Sequence, residues 1–124
     1  MSGTLKVAFA TNDDQNINAH FGAAKNFFIY DISTEKSELF DVIKIDNKDT
    51  DKTIGKLVDS DIDIVYFMNI GPTAAAKIIN KGIFPIKYKE SVPMGEELHK
   101  LVTMLNGNPA PFIKKILEKK RAIA

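Results

Sequence analysis

Apolar residues recur at two different periods along the chain, and the switches between them mark out the elements. Leu5, Val7 and Phe9 alternate with smaller or polar neighbours, which predicts a strand with those three side chains on one face. A polar stretch from Thr11 to Asn18 leads to Ala19-His20-Phe21-Gly22. Phe27 to Ile32 is an aromatic and β-branched run that predicts a second strand, and the turn Ser33 to Ser37 joins it to a third, Glu38 to Ile45. So short a connection predicts an antiparallel hairpin. After Asp51, read as a helix N-cap, Ile54, Leu57 and Val58 fall at helical spacing. Ile62 to Met68 is almost continuously apolar, the pattern of a strand buried on both faces.

The second half alternates helix and strand. Pro72 suits the first position of a helix running to about Asn80, and Gly82 suits its end. Ile83 to Tyr88 is a short strand whose Pro85 belongs at a sheet edge. From Pro93 to Leu105 the spacing of Met94, Leu98, Leu101, Val102 and Leu105 predicts the best-formed helix, closed by Asn106-Gly107. Asn108-Pro109-Ala110-Pro111 breaks the chain before a basic terminal helix, Phe112 to Lys120. The order β-β-β-α-β-α-β-α predicts an α/β fold, a mixed five-stranded sheet flanked by helices. One domain over residues 1–107 and a basic helical extension over 108–124 is the expected division.

Composition narrows the function more than the fold. At 124 residues, with 17 basic against 16 acidic side chains, the chain lacks the basic excess of a general nucleic-acid binder. No apolar run approaches the roughly 20 residues of a membrane span. The start, Met1 to Lys6, has no secretory pattern, so a cytoplasmic protein with no membrane or nucleic-acid partner is expected. There is no cysteine. Disulfides, zinc ribbons, a thiolate nucleophile and an all-cysteine cluster cage are therefore excluded. A metal cluster bound here must arrive assembled.

Few residues are placed to carry chemistry. His20, after a polar loop and two residues before Gly22, can present an imidazole where the backbone is open, and imidazole is a good ligand for iron. A solvated loop histidine fits the tripeptide as well. Asn69-Ile70-Gly71-Pro72-Thr73 joins the most apolar strand to a helix, where free N–H groups and the helix dipole favour an anion. It lacks the glycines and lysine of a phosphate loop. Lys25 is the cation nearest His20 in sequence. Asp13, Asp14, Asp31 and Asp63 invite a two-metal nuclease reading, but their spacing suits turns and surface charge. His99 flanks an apolar stripe, and Lys114, Lys115, Lys119, Lys120 and Arg121 form a basic helix face.

Four segments taken in order resemble the nitrogenase iron–molybdenum cofactor-binding family, and within it the NifX type. They are Val7-Ala8-Phe9-Ala10-Thr11 followed by His20-Phe21-Gly22-Ala23-Ala24-Lys25; Asn69 to Lys77; Lys81 to Ile86; and Leu105 to Lys115, similar to that type's Gly-Asn-Pro-Pro-Pro-Trp stretch. The resemblance implies a ribonuclease H-like three-layer fold without enzymatic activity. It implies a carrier that transiently binds the iron–molybdenum cofactor or its iron–sulfur precursor and serves a cofactor scaffold or apo-nitrogenase, with a monomer expected. The implied metal ligand is His20. Phe21, Gly22, Lys25, Asn69 and Gly71 are the implied cofactor-binding neighbours. A regulatory or protein-interaction module of the same family, independent of metal, is the alternative. The chain departs from the pattern at Ile62, where many relatives have cysteine; at Lys25, where arginine is common; at the single Gly71; and at Phe112, where tryptophan is usual.

Overall fold

The computed structural model describes residues 5–45, 49–107 and 109–123, with the backbone alone for 120–123. Met1 to Thr4, Asn108 and the side chains of Lys120 and Arg121 lie outside the described residues. In chain order the elements are β1 (Leu5–Thr11), β2 (Asn16–Ile17), β3 (Asn26–Ile32), β4 (Ser37–Lys44), α1 (Thr50–Asp59), β5 (Ile64–Phe67), α2 (Pro72–Asn80), β6 (Phe84–Lys87), β7 (Val92–Pro93), α3 (Met94–Asn106) and α4 (Pro111–Ile123). A single 3₁₀ turn, Phe21–Ala23, precedes β3.

Five strands form one mixed sheet in the order β4-β3-β1-β5-β6. The predicted hairpin is there, with β3 antiparallel to both β1 and β4, while β5 and β6 continue parallel to β1. Strand alternation divides the core into two layers. Ala8, Ala10, Val65 and Phe67 face one side, against Ile54 and Leu57 of α1 and Ile78 of α2. Leu5, Val7, Phe9, Ile64 and Tyr66 face the other, against Met94 and Leu101 of α3 and Ile113 of α4. β5 is buried on both faces, as its apolar run predicts. Helices on both sides of a mixed sheet are the three-layer α/β arrangement expected from the sequence.

Both sheet edges are blunted. β6 carries Pro85 at one edge, as expected. On the other, Asp41 opposes Ile29 while Leu39 opposes Tyr30, so Phe40 is the extra residue of a bulge. The ammonium of Lys6 lies 3.9 Å from the centre of the Phe40 ring. A bulge and a nearby charge both discourage a further strand.

Two expectations change. The cap of α1 is Asp49, whose carboxylate accepts the Lys52 N–H at 3.3 Å. Asp51 lies in the first turn instead and reaches Lys77. Both aspartates precede the same apolar stripe, and only the helix's true starting residue separates them. The polar stretch after β1 also contains a strand: Asn16 and Ile17 pair with Pro93 and Val92 in a small second sheet. Two residues are too few to show a period.

Candidate functional site

The site sits where β1 and β5, running parallel, end together. The chain leaving β5 meets the segment returning towards β3: Met68 N–H donates to Ala19 C=O at 2.8 Å, and Phe21 N–H donates to Asn69 C=O at 2.8 Å. His20 and Asn69 thus form a parallel bridge that extends the sheet by one step. Phe21 is the anchor. Its ring is 2% exposed and stands edge-on to Phe27 and Phe67, with centroids 5.4 and 6.1 Å away. Burying that ring fixes its two neighbours, His20 and Gly22, and both remain exposed.

The second half of the site is the start of α2. Gly71 occupies the N-cap with no side chain capping the helix, and Pro72 follows. The first intrahelical bond runs from Ala75 N–H to Gly71 C=O at 3.0 Å. The Thr73 and Ala74 amides belong to the first turn, where helix N–H groups have no intrahelical acceptor and the dipole is positive. Asn69 is exposed, and its side-chain oxygen accepts from Ile70 N–H at 2.9 Å.

Gly22 and Gly71 both line a cavity of about 290 Å³, together with Phe21, Thr73, Thr50 and Lys77. Gly71 has φ −72° and ψ 153°, a conformation open to any residue, and a Cβ at either glycine would meet nothing within 4 Å. The fold does not require glycine at either place. What the two glycines do is leave the cavity unfilled.

The positions expected from the sequence therefore separate into groups. His20, Phe21, Gly22, Asn69 and Gly71 come from segments 49 residues apart and are brought to one place by the bridge. Phe21 contributes by position, because its ring is in the core. Lys25 is exposed at the start of β3; its N–H donates to Asn12 Oδ1 at 3.2 Å and its C=O accepts from Ile45 N–H at 2.9 Å. Thr50 and Lys77 are the residues that sequence reasoning missed. Thr73 and Lys77 share a face of α2 at i, i+4 spacing, which was the available signal. The Lys77 ammonium is 2.6 Å from an Asp51 carboxylate oxygen, tying α2 to α1 beside the cavity mouth.

The aspartates have other employment. Asp13 accepts from the Asn16 side chain at 2.8 Å, from the N–H groups of Gln15 and Asn16 at 3.0 and 2.9 Å, and from the Thr11 hydroxyl at 3.3 Å. Those donors, the Asn16 side chain first, hold its carboxyl well below the usual carboxylate range. Asp14 takes a left-handed turn conformation, φ 63°, and accepts from Asn26. Asp63 accepts from Lys6 N–H, and Asp31 lies 3.9 Å from the Lys6 ammonium. Among the described residues no group of three or more His, Cys, Asp or Glu side chains could hold a metal ion. A bare ion has no cage here. A preassembled anionic cluster would find a different set of parts: one imidazole, open helix-end amides and a lysine.

Fold and site define a mixed α/β domain with an open polar shelf at the ends of its parallel strands, the usual ligand position in open α/β sheets. Residues 3–104 match the model of the family described as "Dinitrogenase iron-molybdenum cofactor", and the chain belongs to that family. It is similar to Protein NifX of Herbaspirillum seropedicae, 34% identical over 121 residues that cover 93% of this chain and 83% of that one. It is also similar to Protein NifX of Rhodobacter capsulatus, 31% identical over 123 residues that cover 91% of this chain and 77% of that one. The crystal structure of PH0822 shares the fold, with a TM-score of 0.69 at 20% identity over 80% of this chain and 91% of that one. No helix among the described residues is long and apolar enough to cross a membrane.

Proposed function

We propose that the protein is a carrier in nitrogenase maturation, binding the iron–molybdenum cofactor or its iron–sulfur precursor at the shelf between His20 and the start of α2 and passing it to a cofactor scaffold or apo-nitrogenase. The observation that carries this reading is the bridge that sets exposed His20 beside Asn69 and the uncapped α2 terminus in a chain of this family. In the proposed complex the imidazole of His20 ligates an iron of the cluster. Gly22 and Gly71 admit the cluster to the backbone, and the Thr73 and Ala74 amides with Lys77 face its negative charge. Lys25 acts from the rim. One protein ligand, rather than a cage, suits a cargo that must leave again.

The chain acts here as a binder and catalyses no reaction. Anaerobic titration with purified precursor cluster and with mature cofactor, followed by iron analysis and visible absorption, tests the proposal. Saturable binding of one of them near one cluster per chain is the expected result. No binding of either cluster by folded protein would overturn it.

A further inference from the structure

A second concave surface lies at the opposite end of α2. Ile79 near the end of α2, Gly82 in the turn after it, Phe84 and Pro85 of β6, and Phe112 and Ile116 of α4 enclose an apolar groove of about 560 Å³. Its floor is the Phe84 ring stacked on Phe112, centroids 4.3 Å apart and planes 14° from parallel. Ile79 is 58% exposed and Phe84 40%, so large apolar surface faces solvent here. Lys115 and Lys119 line the same groove from α4, and among the described residues no carboxylate does. An exposed apolar patch rimmed by charge of one sign is the form of a protein-binding surface.

We propose that this groove docks an acidic amphipathic helix of a partner protein. The two lysines require carboxylates beside the apolar ridge that fills the groove. A strand is disfavoured as the occupant. Phe84 and Tyr88 donate their N–H groups inward to β5-side carbonyls, so by alternation positions 85 and 87 face outward. Pro85 has no N–H to offer at the first of them. A helix needs no backbone partner, and a groove between two helices accepts its apolar stripe. The surface is concave, which suits a ridge of side chains better than the flat face of a lipid bilayer. The shelf takes the start of α2 and the Lys77 side chain, the groove takes Ile79 and the residues that follow it, and among the described residues the two share no lining residue. A partner seated in the groove leaves the shelf open.

The probe is a fluorescent synthetic helix with leucines at i, i+3, i+4 and i+7 and glutamates beside them, titrated against the full chain. Controls are the same helix with lysines for glutamates, and vesicles rich in phosphatidylserine. The acidic helix should bind, weaken with added salt, and lose at least about tenfold in affinity in Ile79→Glu and in Lys115→Glu/Lys119→Glu. These substitutions are at exposed positions, so the folded state survives them and melting curves check that it does. His20→Ala should leave helix binding unchanged, which separates this proposal from the cofactor reading. Equal binding of the acidic and basic helices overturns it. So does vesicle binding without helix binding, or a dimer in sedimentation that Ile79→Glu dissociates, since a second copy would then own the groove.

Discussion

β5 sends polar groups to two places, and they are treated in opposite ways. On the α3 side, the Tyr66 and Tyr88 rings stack, 5.9 Å apart, around the carboxylate of Glu97, which is 4% exposed. The Tyr88 hydroxyl donates to Glu97, the Glu97 charge acts on the buried Tyr66 hydroxyl, and the Lys100 ammonium lies 3.9 Å from the same carboxylate. Every buried polar side-chain atom among the described residues has a partner. Just beyond the end of the same strand, Asn69 to Thr73 leave a cap position without a side-chain bond and a cavity that two glycines keep empty. The first region closes its polar groups on one another and is structural. The second leaves the first-turn amides of α2 without a side-chain cap, which is what the proposed ligand site requires.

The closed side should fail first when its cover is removed. Ending the chain at Gly107 deletes α4, whose Ile113 is completely buried and whose Phe112, Ile116 and Leu117 are partly so. A fully buried side chain of this kind is worth about 1.5–3 kcal/mol, so the melting temperature should fall by at least several degrees. Cluster binding by the fraction still folded should be unaffected, because none of the described side chains of α4 lines the shelf cavity. An unchanged melt would mean that α4 is separable from the core and serves partners alone.

Tyr88→Phe tests the closure itself. It keeps the ring stack and leaves the buried Glu97 carboxylate short of one donor, at a cost of about 1.5–3 kcal/mol for a bond to a charged group. The pH dependence has a definite sign. Burial first, then Glu97, raises the Tyr88 hydroxyl above its ordinary value of 10.0, and burial raises Tyr66 as well. A raised tyrosine contributes stability that is complete below pH 10 and is lost as the pH climbs through the folded value. Denaturant titrations should therefore show the wild type weakening above pH 10, and the variant, already weaker, losing less over that range. Parallel alkaline losses in both would contradict the network.

The open side should respond in binding and not in stability. His20→Ala should cost about 1–3 kcal/mol of cluster affinity, roughly 5- to 150-fold, with an unchanged melt. Gly71→Leu should fill the cavity and reduce affinity about tenfold, while Gly71→Ala, with open space around its Cβ, should fold and bind nearly as the wild type does. Loss of stability in Gly71→Leu would show that the shelf is packed after all.

The same contrast explains what the sequence revealed. The layers were legible because burial writes a period: β1, β5 and the α3 stripe are strong patterns, and the switch between periods dates each element. Gly71-Pro72 marked the α2 terminus for a local reason. Juxtaposition left no such trace. Nothing near Thr50 or Lys77 announces that α1 and α2 begin side by side, and the His20–Asn69 bridge joins residues whose separation carries no period. The resemblance of the His-Phe-Gly and Asn-Ile-Gly-Pro segments to a family supplied what spacing could not. The closed network was equally hidden, since Glu97 reads as an ordinary first-turn acid until Tyr66 and Tyr88 are seen to converge on it.

The smallest expected effect belongs to Asp13, which sits on the open side yet is bonded like the closed one. Its carboxylate is fully exposed but gathers the Asn16 side chain, two backbone N–H groups and the Thr11 hydroxyl. Those bonds hold its pKa below the ordinary 3.8, so the folded chain keeps Asp13 ionised where the unfolded chain begins to take up a proton. The stability it contributes is present above about pH 4 and is surrendered as the pH falls through the depressed folded value. Asp13→Asn removes that dependence and keeps the side chain's size, so the variant should be slightly weaker near neutrality and should lose less than the wild type below pH 4. Other carboxylates titrate in the same range, which makes the difference between the two acid profiles the quantity to measure. Identical profiles would show that the bonds to an exposed carboxylate are made equally well by water. In that case the loop before His20 is shaped by the β2–β7 pair and the Phe21 anchor, and the contrast between the closed and open regions becomes sharper.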